Sequence, residues 1–285
     1  MIDEKQCVSS NGLSMRDRDS AERSGTVVLL HGSGFSKEVF DRQFQDPALA
    51  NYRLIAIDLP GHGASVDAHD PVATYCFAGF AREVEQALSE LNVEKCVVVG
   101  WSLGGHVALE LGKTCAAVRG VMTMGTPPVS GGPLGLVRSM HFSKALLLAS
   151  KAEFTRADAE LFERYSLADQ ADGRFVTTLM RTDPLLRPML AKSTLHDFGA
   201  GQLGDIKKSH LDICLIHGGQ DPFIRTGYMR AIEAPSLYRG GTIVFENSGH
   251  APFLAEPGRF AAQLMDFNDY VQVSAPRIVP MGLAA

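Results

Sequence analysis

Val97-Val98-Val99-Gly100-Trp101-Ser102-Leu103-Gly104-Gly105-His106 is the stretch on which the reading of this chain turns. A β-branched apolar run stops at Gly100, small residues follow at Gly104 and Gly105, and helix-forming positions resume at Val107-Ala108-Leu109. The pattern predicts a strand, a sharp turn and a helix, with Ser102 at the apex of a G-x-S-x-G elbow. A serine held in so tight a turn needs neighbours two residues away without bulky side chains, so that strand and helix can approach. Its hydroxyl then stands clear of the sheet, and the helix that follows aims its first amides at developing negative charge. Such a pentapeptide also arises by chance in chains containing this much Gly and Ser, so its context decides.

Upstream, Thr26-Val27-Val28-Leu29-Leu30 reads as a buried strand ending at His31-Gly32-Ser33-Gly34. A second, Arg53 to Asp58, ends at Leu59-Pro60-Gly61-His62-Gly63-Ala64-Ser65. Apolar positions from Phe77 to Leu91 have helical spacing, and Asn11-Gly12 is a type I′ hairpin signal for a short N-terminal ribbon. Downstream, Gly120 to Met124 is another strand. From about Val129 to Lys208 no buried strand is evident, and Leu, Met, Phe and Ala recur at helical spacing. Alternation resumes with strands at Leu211 to His217 and Thr242 to Glu246, then a closing helix from Pro257. Residues from Ser274 onward read as a loose tail. The expectation is an α/β fold: a mostly parallel sheet flanked by helices, a core of residues 1–128 and 209–285, and an inserted all-helical cap at 129–208.

In such sheets ligands bind at the carboxyl ends of the strands. Those ends carry His31-Gly32-Ser33-Gly34, Ser102, Asp221 and His250. A serine hydroxyl becomes a useful nucleophile only when a base takes its proton. His250 is the candidate base, and Asp221 the carboxylate that fixes its tautomer. Glu246 is the spare acid, at a strand end. The oxyanion would rest on the N–H groups of Leu103 and Ser33, with Gly34 in place of Ser33 if the loop is shifted by one residue. Gly32, Gly34 and Trp101 lie beside these donors as candidate substrate contacts, and Trp101 also suits plain packing against the elbow. Asp58 and His62 sit in a turn marked by Pro60, Gly61 and Gly63, which suits loop roles. His31 suits a hydrogen-bonding role in its loop, His217 a structural one, and His106 is expected to face the helix packing rather than the substrate.

Together these loops, with Gly249-His250-Ala251-Pro252-Phe253, resemble the α/β-hydrolases with a helical cap over residues 26–270. Gly100 to His106, Gly125-Thr126-Pro127-Pro128-Val129 and the segment from Gly249 to Pro257 are similar to the α/β-hydrolase type of N-acyl-homoserine lactone hydrolase. The resemblance implies metal-free opening of a quorum-sensing lactone. Two positions depart from it: Ser33 stands where that family carries asparagine, and Phe162 where it carries a lid tyrosine, making Phe162 a further candidate substrate contact.

Composition narrows the partners. A chain of 285 residues with a net charge of −5 offers no electrostatic reason to bind nucleic acid or an anionic membrane. No apolar run reaches membrane-spanning length, and the N-terminus lacks a secretory pattern. Five cysteines without a C-x-x-C pair read as reduced, buried thiols of a cytoplasmic protein. No His and carboxylate set has metal-ligand spacing and no glycine-rich loop matches a phosphate cradle, so neither metal nor cofactor is expected. The expected partner is a small ester or lactone with an apolar arm. A general carboxylesterase, a C–C bond hydrolase of diketone-like substrates and a non-catalytic small-molecule receptor are the competing readings, and Ser102 at the elbow excludes a nucleophilic aspartate.

Overall fold

The computed structural model describes residues 2–129, 133–196 and 201–273, so the tail expected from Ser274 onward lies outside the described residues. Eight strands form one sheet: β1 (Ile2–Val8), β2 (Ser14–Ser20), β3 (Gly25–Leu30), β4 (Tyr52–Ile57), β5 (Cys96–Trp101), β6 (Val118–Met124), β7 (Asp212–Gly218) and β8 (Ile243–Phe245). Their spatial order is β1-β2-β4-β3-β5-β6-β7-β8. β1 pairs antiparallel with β2, and β2 with β4, while the remaining pairs are parallel. Every residue of β4, β5 and β7 is buried, as expected of strands covered by helices on both faces. The helices Phe77–Glu90, Leu103–Thr114 and Pro257–Val273 flank this sheet.

The ribbon at the N-terminus forms, but not with the expected turn. A type I′ turn needs two successive residues with positive φ, and only Gly12 has one, at 82°. The Gly12 N–H donates to Ser9 O at 2.9 Å and the Ser9 N–H to Leu13 O at 3.0 Å, so a longer connection with a single left-handed glycine joins the strands. Asn11 instead donates through Nδ2 to Glu83 O at 3.0 Å and to its carboxylate at 2.8 Å. Its Oδ1 accepts from Ser9 Oγ, so the side chain both braces the connection and ties it to the helix Phe77–Glu90.

Between β6 and β7 the described residues contain helices and no named strand: Pro133–Ser139, Lys144–Ala149, Arg156–Leu167, Val176–Arg181, Leu186–His196 and Gln202–Lys208. Two sets of bonds tie this stretch to the loops at the strand ends. On one side the Asp183 N–H and Arg181 Nη1 donate to Gly61 O, at 3.0 and 3.1 Å, and Arg181 Nη2 donates to Ser65 O at 2.9 Å. On the other side the His141 N–H donates to Phe223 O at 2.7 Å, and the Arg225 N–H to Ser139 O at 2.8 Å. The helices are therefore held over the carboxyl edge of the sheet, where the loops converge.

Among the described residues no helix is long and apolar enough to cross a membrane. Of the five cysteines, Cys96 and Cys214 are buried, whereas Cys7, Cys76 and Cys115 are only partly so. The expectation of buried thiols thus fits two of five. The other three lie at element ends, where packing is incomplete.

Candidate active site

The elbow is built by close approach. A side chain on Gly100 would place its Cβ 2.1 Å from Gly104 O, and one on Gly104 would meet Leu30 O at 2.1 Å. No residue larger than glycine fits either position without moving the backbone. Ser102, at the turn, takes φ 52° and ψ −115°, a conformation that costs a non-glycine residue about 1–3 kcal/mol. The surroundings hold it there: the Ser102 N–H donates to Met124 O at 2.9 Å, and Ser102 O accepts from Gly105 N at 3.0 Å and Thr126 Oγ1 at 3.0 Å.

Ser102 lines a cavity of about 680 Å³ between the strand ends and the overlying helices. His250, Gly32, Ser33, Trp101, Leu103 and Phe162 line the same cavity. Among the described residues, the N–H groups of Ser33 and Leu103 have no protein acceptor, Leu103 being the first residue of its helix. The Ser33 Oγ is also buried without a hydrogen-bond partner.

His250 Nδ1 lies 2.7 Å from Asp221 Oδ2. A carboxylate only accepts, so Nδ1 carries the proton, and in the neutral ring Nε2 is the nitrogen with the lone pair. Asp221 is itself held by its loop, its Oδ1 accepting from the N–H groups of Phe223 at 2.8 Å and Ile224 at 3.1 Å. Burial pushes the Asp221 pKa up, but the charge and hydrogen bond of His250, with the backbone donors, more than offset this and hold it below the usual carboxylate range. Behind the elbow, Trp101 Nε1 donates to His250 O at 2.9 Å, while its ring packs 4.8 Å from Phe35 and 5.4 Å from Phe253. Trp101 thus both lines the cavity and fastens the His250 loop to the elbow strand.

The remaining candidates separate. Gly34 is not among the lining residues: it turns towards the overlying helices with φ 82°, where a Cβ would meet Leu179 at 2.7 Å and Arg187 at 2.8 Å. This corrects the expectation of a substrate contact at Gly34. Asp58 is fully buried and accepts from Lys37 N at 2.6 Å, Lys37 Nζ at 2.7 Å and Ala64 N at 2.9 Å, which makes it the organiser of two loops. His31 Nε2 accepts from the Leu59 N–H at 3.0 Å and its Nδ1 donates to Gly32 O at 2.8 Å, bracing the loop that carries Ser33. His62 bonds Pro60 O through Nδ1 at 3.0 Å. His217 bonds Thr226 through Nε2 at 3.1 Å. Glu246 is exposed and paired with Arg230 at 2.6 Å, away from His250.

His106 departs from expectation, since it lines the cavity. Its ring stacks on Phe77 at 4.5 Å with 11° between the planes. Other walls that the sequence did not single out come from Phe35, Val129, Met140, Leu146, Arg187 and Phe223. Most belong to the helical stretch, where no local motif marks which of many apolar residues faces inward.

Comparison with known proteins agrees with this architecture. The model of the alpha/beta hydrolase family matches residues 27–263. Pimeloyl-[acyl-carrier protein] methyl ester esterase of Vibrio cholerae is 27% identical over 253 residues, covering 85% of this chain and 93% of that protein. Among solved structures, a variant of the N-acyl homoserine lactonase AidH complexed with N-hexanoyl homoserine superposes with a TM-score of 0.89 at 28% identity, covering 98% of this chain and 100% of that one. The esterase RhEst1 from Rhodococcus sp. ECU1013, at 22% identity and a TM-score of 0.73, covering 94% of this chain and 99% of that one, shares the fold. With the family model running from β3 through the elbow and the overlying helices into the closing helix, this chain belongs to the alpha/beta hydrolase family.

Proposed function

We propose that the protein is a serine hydrolase that opens N-acyl-homoserine lactones or closely related esters, with Ser102, His250 and Asp221 as its catalytic residues and residues 129–208 as a cap over the site. The observation that carries this reading is the shared cavity: the strained Ser102 and the Asp221-bonded His250 both belong to one largely apolar chamber. The likeness to AidH over nearly the whole chain supports the lactone in particular.

In this reading Ser102 Oγ attacks the carbonyl carbon while His250 Nε2 takes its proton. The oxyanion is received by the N–H groups of Ser33 and Leu103, which need no reorganisation to meet it. Asp221 stabilises the imidazolium, which then protonates the departing alkoxide. In a lactone that oxygen stays tethered, so the acyl-enzyme carries its own leaving group as a hydroxyl. A water deprotonated by His250 attacks the acyl-enzyme, and the hydroxy acid leaves. Phe35, Phe162, Phe223 and Leu146 line the space for the acyl chain, as in ligand sites that are apolar with a few polar groups. Replacing the family's asparagine by Ser33 leaves the backbone donor in place, and Phe162 supplies apolar surface where a tyrosine would supply a hydroxyl.

The test is lactone ring opening in the presence of EDTA, followed by mass spectrometry for the wild type and for Ser102→Ala. Turnover that disappears in Ser102→Ala supports the reading. Cleavage of p-nitrophenyl esters without lactone opening would reduce it to a carboxylesterase.

A further inference from the structure

We propose that His106 determines substrate choice: its Nε2 accepts a hydrogen bond from a secondary amide N–H close to the scissile carbonyl. The inference rests on the esterase reading above and adds the group recognised beside the reacting bond.

The ring's proton is placed by a chain of fixed partners. Gln202 Nε2 donates to Glu110 Oε1 at 2.9 Å and to His106 O at 3.2 Å. A carboxylate cannot donate, so the Gln202 amide is oriented with its nitrogen towards Glu110 and its oxygen towards His106. Gln202 Oε1 lies 2.7 Å from His106 Nδ1, which must therefore be the protonated nitrogen. Glu110 is held in turn by Lys113, which also pairs with Asp205 at 3.0 Å. His106 thus has its proton turned away from the cavity. Its Nε2, the other ring nitrogen, keeps a lone pair and has no hydrogen-bond partner among the described residues. Burial pushes the ring's pKa down to about 4, so it is neutral at neutral pH and the lone pair is available.

Position does the rest. Ser102 caps the helix Leu103–Thr114 and His106 lies in its first turn, its N–H donating to Ser102 O at 3.3 Å, and both side chains line the same cavity. A donor that reaches Nε2 from a carbonyl seated at Ser102 belongs on the neighbouring atoms of the substrate. An acylated α-amino ester or lactone carries its N–H there. A plain alkyl ester offers nothing and leaves Nε2 unsatisfied in an apolar chamber. One hydrogen bond of ordinary strength corresponds to a preference on the order of tenfold.

The experiment measures binding, so that it does not depend on turnover. Ser102→Ala protein is titrated calorimetrically with N-hexanoylglycine methyl ester and with methyl 4-oxononanoate, which differ only by CH2 in place of N–H. About tenfold tighter binding of the amide is expected, falling to parity in Ser102→Ala/His106→Phe. His106→Gln, which keeps an acceptor oxygen, should restore a preference of about threefold in the same background. If the phenylalanine variant does not fold, Gln202→Leu carries the test, because Nδ1 then loses its acceptor and the preference should fall. Equal affinities in Ser102→Ala, failure of either ester to bind it, or a preference that survives His106→Phe would overturn the proposal. Absence of any ester hydrolysis by the wild type would instead sink the esterase reading.

Discussion

Replacing Asp221 with asparagine changes one atom, and the surroundings dictate how the new amide must point. The oxygen Oδ1 accepts two backbone N–H groups, from Phe223 at 2.8 Å and Ile224 at 3.1 Å, and an amide nitrogen cannot take that place. The NH2 group is therefore driven to the Oδ2 position, 2.7 Å from His250 Nδ1. There it donates, so Nδ1 must give up its proton and Nε2 must carry one. A protonated Nε2 on a neutral ring cannot accept the Ser102 proton. The expected loss in kcat is about 10⁴-fold, the scale on which the same tautomer reversal acts in serine proteases. The substitution is isosteric and the amide keeps the three hydrogen-bond partners of the carboxylate, so folding should change little. The assay is ester hydrolysis at saturating substrate, with the thermal midpoint measured in parallel. A loss of less than tenfold in a folded protein would refute the assignment of Asp221 as the residue that sets the His250 tautomer.

Gly104→Ala should abolish soluble folded protein, because its Cβ would lie 2.1 Å from Leu30 O, whereas Gly204→Ala, with nothing within 4 Å, should stabilise by about 0.5–1 kcal/mol in urea melts. Acid should weaken the fold between pH 7 and 5. Burial pushes His106 and His217 down to about 4 in the folded protein, so the unfolded chain, titrating near 6.5, takes up their protons first as pH falls. The stability they contribute is present above about pH 6.5 and lost towards pH 4, about 2 kcal/mol for each by pH 5, and an unchanged urea midpoint at pH 5 would contradict this. Phe162→Ala removes a ring 5.3 Å from Phe154 and 5.9 Å from Phe223, and should raise KM for hexanoyl esters more than for acetyl esters. An equal rise for both chain lengths would place Phe162 outside the acyl pocket.

What could be read without coordinates follows from range. The elbow was legible because its constraint is local: Gly100 and Gly104 are spaced to let strand and helix touch, and that spacing is visible in five residues. Asp221, His250 and the Ser33 loop were legible as neighbours because parallel strands deliver their following loops to one edge. Asp58 was readable as a loop residue for the same reason, since its turn partners lie within a few positions. The cavity walls were not legible. Arg187, Phe223 and Leu146 reach it from separate helices and loops, and long-range bonds such as those of Arg181 and Asp183 to Gly61, and of His141 to Phe223, hold the faces that point inward. His106 was misread because the partner that orients it, Gln202, lies 96 residues further along the chain. Gly34 was misplaced because its left-handed turn directs it to Leu179 and Arg187, neither of which its own sequence neighbourhood announces.

Covalent capture tests the central claim most directly. Purified protein is incubated with an alkyl fluorophosphonate, and the intact mass and the tryptic peptide bearing Ser102 are measured over time for the wild type, Ser102→Ala and Asp221→Asn. The account predicts one phosphonyl group per wild-type chain, located on Ser102, none on Ser102→Ala, and much slower capture by Asp221→Asn. A wild-type chain that stays unmodified, or that is modified on another residue at the same rate in Ser102→Ala, would contradict it.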